Sequence, residues 1–493
     1  MEALLALARL DCALADADLD HDAVAAACLQ AAAACLGHAP LPPPPAGHGP
    51  RAPLAAPQPE GPRFYGLDPL GFAAAARRWA GRAAGREVFI LGLRSMGSVL
   101  APIVAAALAA EGMAAAWTTL RPAGPPFARR LEAPAALGRR LSGFPGAFLV
   151  VDEGPGLSGS SFGAAFSLLA SLAVPSRRIT LLASWAPTPE QAARLCHPGV
   201  AAAWPGWNVI AADPLPAPAR ACGNLSGGAW RASFGHHQDS PVWGTHARLL
   251  HLADHGQTVV KFAGLGAWGR AARERAAHLE AAGFGPRLAA AQGEEGWVRY
   301  RREAARPLDQ PTRAWCEFAG RYLAWVASEY RLADAQPPTA AMVAMLEENL
   351  GAHCALPPEA PLIALDGRML PEEWGETARG FVKFDATDHG DDPFFPGPAD
   401  IAWDLAAIAA EFGAAAGAAA AAAYRRASGE RARALAPRLA WHAAAYAAFR
   451  QAYCSLAAEQ AGDAEAPGFR RQAARYAAIA NRRGRELRRW RSA

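Results

Sequence analysis

Three continuous apolar runs in the first half of the chain most constrain its fold: EVFILGL (87–93), AFLVV (147–151) and ITLLASW (179–185). Runs this short and this apolar read as buried strands. Helical stretches separate them. VLAPIVAAAL (99–108) sets Leu100, Ile103, Val104 and Leu108 at helical spacing, and FGAAFSLLASLA (162–173) is a helix stopped near Pro175. Strands alternating with helices imply a parallel sheet with crossover connections. The expected fold class is therefore α/β over about residues 64–190.

Breaks in the pattern divide the rest. Residues 1–37 look helical, and the proline-rich stretch 39–62 is expected to be a linker or extended surface segment, because proline lacks the amide donor. A second break lies at 213–228. Beyond it, HARLLHL (246–252), ADHGQ and TVVKFAG (258–264) read as a β-hairpin with a glycine-containing turn. A helix carrying Glu274 follows, and from about 312 the chain is mostly helical apart from LIAL (362–365) and GFVKF (380–384). The expected organisation is an N-terminal helical segment with linker (1–62), a parallel-sheet domain (63–215) and an α+β domain (225–493). That last domain would have a small β-rich lobe (226–305) and a helical lobe (312–493). A length of 493 residues accommodates such a division.

Composition excludes little but points one way. A net charge of +4 over 493 residues does not by itself indicate nucleic acid or membrane. The eight cysteines include no CxxC pair, and Cys28 and Cys35 read as core packing in an Ala-rich helix. The N-terminus lacks the basic start of a signal peptide, and no apolar run is long enough for a membrane span. A reduced, cytoplasmic protein is expected. The basic C-terminal NRRGRELRRWRSA (481–493) reads as a helix with an arginine-covered face rather than a nucleic-acid contact.

The stretch FLVVDEGPGLSGSS (148–161) carries the first chemistry. A strand runs into an acid pair, and the acid pair into a loop of small residues. Gly154, Gly156 and Gly159 permit backbone geometry that side chains block. Helix N-terminal amides, with the hydroxyls of Ser158, Ser160 and Ser161, can cradle a phosphate. Ionised Asp152 and Glu153 accept hydrogen bonds only, which suits the two hydroxyls of a ribose, and they can also orient magnesium through water.

These residues resemble the type I phosphoribosyltransferases. Asp152-Glu153 match the family's acid pair, and Ser158-Gly159-Ser160-Ser161 match its 5-phosphate loop. GLRSMGS (92–98) lies where the family places its pyrophosphate loop, so the resemblance implies diphosphate contacts from Arg94, Ser95 and Gly97. It also implies a hood over WTTLRPAGPPFARRLEA (117–133), with Arg121, Arg129 and Arg130 as further phosphate contacts. The ligand implied is phosphoribosyl pyrophosphate with magnesium. The loop departs from the family's pattern by one extra residue and by Pro155.

A second set of residues points to phosphoryl chemistry. Lys261 ends a probable strand, with Glu274 thirteen residues later on a helix, and kinase folds pair a strand lysine with a helix glutamate. Asp366 follows the apolar LIAL, Asp385 comes nineteen residues after it, and DIAWDLA (400–406) follows. This resembles the aminoglycoside phosphotransferase branch of the kinase fold over about 226–450. The resemblance implies a two-lobed domain that binds ATP and magnesium, with Asp366 as base, Asp385 as metal ligand, Asp404 as support and Lys261 and Glu274 at the nucleotide. Here too the sequence departs from the pattern. Ala364-Leu365-Asp366 replaces His-Gly-Asp, and Pro371 stands at the metal-binding Asn, with Glu372 or Glu373 as substitutes. The nearest thing to a glycine-rich loop is SFGHHQDSPVWG (233–244). The acids and His389 of DATDHGDDPFF (385–395) read as magnesium plus a solvated acidic loop, and His236-His237 as loop residues.

Three functions are open from these features. One is a phosphoribosyltransferase-like enzyme that passes ribose 5-phosphate to an unknown acceptor, coupled to a kinase-like domain acting on a small molecule. The alternative is a regulatory or sensor protein that binds phosphoribosyl pyrophosphate or a nucleotide and carries a catalytically degenerate kinase-like half, which would fit a bacterial stress or defence role. A hydrolase-like use of the first site, with water as acceptor, is a third.

Overall fold

The chain opens with two helices, Glu2–Asp16 (α1) and Asp22–Cys35 (α2), whose apolar faces carry Leu4, Leu5, Cys12, Val24 and Cys28 inside. The structure, a computed structural model, describes residues 1–43, 58–83, 85–125, 127–156, 158–193, 195, 197–234, 240–290, 292–293, 295–308, 310–333, 335, 337–351, 354, 356–387, 394–395 and 397–490. The chain divides into two compact units, residues 1–217 with 264–268, and residues 218–263 with 269–493.

In the first unit, Pro69–Ala80 (α3) starts at Asp68, whose carboxylate accepts from the Leu70 amide at 2.9 Å. Then come Glu87–Leu93 (β1), Gly97–Ala110 (α4), Ala114–Leu120 (β2), Ala135–Ser142 (α5), Ala147–Val151 (β3) and Ser160–Ser171 (α6). Ile179–Ala183 (β4), Pro189–Ala192 (α7), Pro198–Ala203 (α8) and Asn208–Ala211 (β5) complete it. The five strands form a parallel sheet in the order β2-β1-β3-β4-β5, with Ile90 in register with Trp117 on one side and Leu149 on the other. The unit is a mixed α/β fold. Phe89, Leu91, Phe148, Val150 and Leu181 pack with Phe162, Phe166 and Leu169 of α6 on one face. Val88, Ile90, Leu149 and Leu182 are equally buried on the other, as a parallel sheet covered on both sides requires.

Two features differ from expectation. The strands β2 (AAAWTTL) and β5 (NVIA) carry no continuous apolar run, because they are half-buried edge strands. Residues 1–62 are also not a separate segment: α1 and α2 pack on α4, and Gly61–Tyr65 forms a short π-helical turn with Pro62, Arg63 and Phe64 buried. Residues 44–57 of the proline-rich stretch lie outside the described residues.

The second unit begins with Ala221–Asn224 (β6), Trp230–Phe234 (α9), Leu250–Ala253 (β7) and Thr258–Phe262 (β8). Ala267–Ala281 (α10), whose first two residues belong to the first unit, and Trp297–Arg301 (β9) follow. The four strands make an antiparallel sheet, β6-β7-β8-β9, with the expected β7–β8 hairpin turning through Asp254, His255 and Gly256 at positive φ. Ala305–Pro307 (β10), Arg313–Glu329 (α11), Arg331–Leu332 (β11), Thr339–Leu350 (α12), Leu362–Ile363 (β12), Trp374–Thr377 (β13) and Gly380–Lys383 (β14) come next. The chain ends in Ala402–Phe412 (α13), Ala414–Ser428 (α14), Ala432–Gln460 (α15) and Ala466–Trp490 (α16). The antiparallel sheet β10-β13-β14 includes a WGET strand that sequence periodicity does not announce. The helical core is aromatic, centred on Trp315, Tyr322, Trp374, Trp403, Tyr446 and Tyr476. Among the described residues no helix is long and apolar enough to cross a membrane.

Candidate functional site

In the first unit the chain leaves β1 and β3, which are neighbours, toward opposite edges of the sheet. Open α/β sheets form their ligand crevice at the carboxyl ends of such a strand pair. Both loops singled out in the sequence leave from those ends. After β1, Arg94-Ser95-Met96 turns into α4 at Gly97, and a Cβ on Gly97 would lie 2.3 Å from the Gly92 carbonyl carbon. Only glycine lets the loop fold back this closely onto its own strand. The Arg94 amide donates to the Leu120 carbonyl at 2.9 Å, tying the loop to the end of β2. The Arg94 side chain is 12% exposed, and its Nε lies 3.3 Å from Asp16 Oδ1. Arg121 donates through Nε to Asp16 Oδ1 at 3.1 Å, through Nη2 to Asp16 Oδ2, and through Nη2 to Cys12 Sγ at 3.0 Å. Ser95 is half-buried beside them.

Asp152 and Glu153 follow β3 and are half-buried. Their backbone continues the pairing with β4: the Asp152 amide donates to Leu182 O at 3.2 Å and the Ser184 amide to Glu153 O at 2.8 Å. Burial pushes the Asp152 carboxyl up to about 7, against the opposing effects of the Glu153 amide and Arg121. Burial, then the charges of Asp152 and Glu60, push Glu153 up to about 8. Neither carboxylate has an ion-pair partner among the described residues.

The glycine/serine loop is more closed than expected. Gly159 stands at the N-terminus of α6 with φ 67°, and a Cβ there would meet Val200 of α8 at 2.6 Å. With α8 packed so closely, Ser158 and Ser160 are buried and Ser158 Oγ donates to Ser160 Oγ at 2.9 Å. The Ser160 amide donates to Ser158 Oγ at 3.2 Å, so these two hydroxyls turn toward each other rather than into an open cradle. Ser161 stays half-buried at the first turn of α6. In the region expected to be a hood, Arg129 donates to Gly124 O at 2.7 Å, and Arg130 pairs through its backbone with Ala123. Here a cavity of about 760 Å³ opens, lined by Arg94, Thr118, Thr119, Arg121, Arg130 and Glu132 together with Ala15, Asp18 and His21 from the N-terminal helices and their turn.

In the second unit, Lys261 lies inside β8 and pairs with Asp385, whose side chain is 32% exposed. The expected pairing of Lys261 with Glu274 is not made. Ala272 and Ala276 turn the buried face of α10 inward, which leaves Glu274 exposed on the opposite side. Arg275 makes the link from α10 instead, donating to Ala364 O at 3.0 Å and Leu365 O at 3.3 Å.

Asp366 is fully buried. It accepts from Tyr322 Oη at 2.6 Å and lies 3.1 Å from Lys383 Nζ. Lys383, also fully buried, reaches Glu373 at 2.8 Å and the Asp385 carbonyl, so its three donors are all engaged. Burial works against the Lys383 ammonium, yet Asp366, Glu373 and Asp385 hold its pKa above the ordinary lysine value. Asp404 on α13 supports the turn by accepting from the amides of Asp366 at 3.2 Å and Gly367 at 2.9 Å, and burial followed by the charge of Asp366 raises its pKa.

This arrangement does not suit the roles expected of these residues. A general base must reach its substrate, and Asp366 is sealed. A magnesium ion between Asp366 and Asp385 would compete with two lysines that already neutralise them, so the residues do not fit a metal there. Among the described residues no cluster of three or more His, Cys, Asp or Glu side chains could hold a metal ion. His236, His237, Asp388, His389, Asp391 and Asp392 lie outside the described residues.

Sequence reasoning missed two residues that the structure places centrally. Lys383 had a signal, a lone charge in the apolar strand GFVKF that must find partners when buried. Asp16 had none, since nothing local links it to Arg94 and Arg121.

No family model matches the chain, and no curated protein matches it. Solved structures similar to part of it include a choline/ethanolamine kinase family protein from Mesorhizobium loti, 18% identical over 48% of this chain and 90% of that one, with a TM-score of 0.32. A choline kinase from Streptococcus pneumoniae is 16% identical over 47% of this chain and 90% of its own, also with a TM-score of 0.32. An aminoglycoside phosphotransferase from Alicyclobacillus acidocaldarius is 13% identical over 56% and 93%, with a TM-score of 0.34. Likenesses at this level establish neither an activity nor membership of a family.

Proposed function

We propose that the first unit binds phosphoribosyl pyrophosphate and transfers its ribose 5-phosphate to an acceptor nucleophile. The observation that carries this reading is that an arginine loop and a carboxylate pair leave from the ends of the two adjacent strands where the strand order reverses. Asp152 and Glu153, ionised above their raised pKa values or when a bound cation offsets their charge, accept hydrogen bonds from the ribose hydroxyls. The start of α6, with Ser161, receives the 5-phosphate, and Arg94 and Arg121 receive the diphosphate. The acceptor attacks the anomeric carbon, the carbon–oxygen bond to the diphosphate breaks, pyrophosphate leaves with the electron pair, and the acceptor's proton passes to solvent. Asp152 and Glu153 are oxygen donors without a cation partner among the described residues, so they fit a magnesium ion, which would neutralise the departing diphosphate.

The test is pyrophosphate release from phosphoribosyl pyrophosphate and magnesium with a panel of nitrogen and oxygen acceptors. Wild-type protein should release it, and Asp152→Asn combined with Glu153→Gln should not. Undiminished release from that double variant overturns the site assignment.

The second unit we read as kinase-shaped but blocked for phosphoryl transfer, because Lys383 holds Asp366. This favours the regulatory reading for that half. Lys261 and the partly open Asp385 are the residues left for a nucleotide such as ATP. ADP formation above background with small hydroxyl or amino substrates would contradict it.

A further inference from the structure

Asp16 is the last residue of α1, and its carboxylate sits on the two arginines assigned above to the diphosphate. Arg121 grips both oxygens in a fork, through Nε at 3.1 Å and through Nη2, while Arg94 Nε approaches Oδ1 at 3.3 Å. The helix holds the carboxylate there, since Leu4, Leu5, Ala8 and Cys12 seat α1 in the core. An anchored carboxylate competes at high effective concentration with any free anion. The adjoining cavity of about 760 Å³ brings a third guanidinium, Arg130, to the same space.

We propose that Asp16 is a specificity-determining residue of this site. It keeps Arg94 and Arg121 compensated, so that a ligand group displaces it only when it brings several negative charges at once, as a diphosphate does. A group of lower charge, such as a single inorganic phosphate, gains little over the resident carboxylate and is rejected. A diphosphate takes over both arginines and extends toward Arg130, offering more acceptors than Asp16 gives up. The inference rests on the reading of Arg94 and Arg121 as diphosphate contacts.

The experiment titrates inorganic pyrophosphate and, separately, inorganic phosphate into the full chain by calorimetry. Wild type is compared with Asp16→Asn and with Glu111→Gln, which removes an exposed carboxylate paired with Arg77 outside the cavity lining. Thermal unfolding checks that each variant is folded. Wild type should prefer pyrophosphate, and Asp16→Asn should reduce that preference about tenfold, mainly by strengthening phosphate binding. Glu111→Gln should leave the preference unchanged. If wild type binds pyrophosphate and Asp16→Asn keeps the full preference, the role of Asp16 is overturned while the site stands. The role is equally overturned if Glu111→Gln has the same effect, or if Asp16→Asn loses pyrophosphate binding. Failure of wild type and Asp16→Asn alike to bind pyrophosphate overturns the site assignment and the inference together.

Discussion

Asp152 and Glu153 are held in a setting that disfavours their own charge, which is what a site completed by its ligand requires. The Asp152 carboxyl, ordinarily at 3.8, stands at about 7 in the folded chain. Between those values the folded protein retains a proton that the unfolded chain has lost, so stability falls as pH rises through that window. Asp152→Asn removes the penalty. The variant should be more stable than wild type at pH 8 by up to about 4 kcal/mol, with the gain shrinking below pH 7 and absent near pH 4, as read by urea unfolding. Lys383 presents the opposite case. Lys383→Met leaves Asp366 and Glu373 buried without their cation and should cost about 3–5 kcal/mol in the same assay. A cost below 1 kcal/mol would show that Lys383 does not hold the second unit together. At this scale sequence reading identified the carboxylates, whose chemistry is local. It did not identify the polar contacts made around them, because Asp16 reaches Arg121 across 105 positions and Tyr322 reaches Asp366 across 44.

The first site is assembled by elements that meet almost backbone to backbone. The return of α4 against β1 depends on Gly92 and Gly97, and the start of α6 against α8 on Gly159. Gly97→Ala must open the loop that carries Arg94, because its Cβ would fall 2.3 Å from the Gly92 carbonyl carbon. We expect a loss of about 2–4 kcal/mol in stability and at least a tenfold loss of pyrophosphate affinity. An unchanged affinity would separate the loop from the ligand. The central strands β1, β3 and β4 were legible because both faces are buried, and they therefore carry unbroken apolar runs. The edge strands β2 and β5 and the short strand β13 were not, because half-burial leaves no continuous signal over four to seven residues. The closure of the serine loop was also hidden, since it depends on Val200, forty-one positions after Gly159.

Over the whole molecule, the chain carries two units in different chemical states. The first holds an acid pair without ion-pair partners among the described residues, beside arginines that one carboxylate from α1 compensates. In the second, the corresponding charges are matched internally, Lys261 with Asp385 and Lys383 with Asp366 and Glu373. The units divide near residue 217, and nothing in the sequence assigns α1 and α2 to the first of them. Their apolar faces announce that they must be buried somewhere, and only the fold shows that the surface is α4. The proposed function requires ligand binding at the ends of β1 and β3. Calorimetric titration of phosphoribosyl pyrophosphate with magnesium into the full chain tests this most directly. Saturable binding that weakens at least tenfold in the Asp152→Asn, Glu153→Gln double variant is the predicted result. Absence of binding to wild type, or equal binding to both proteins, would contradict it.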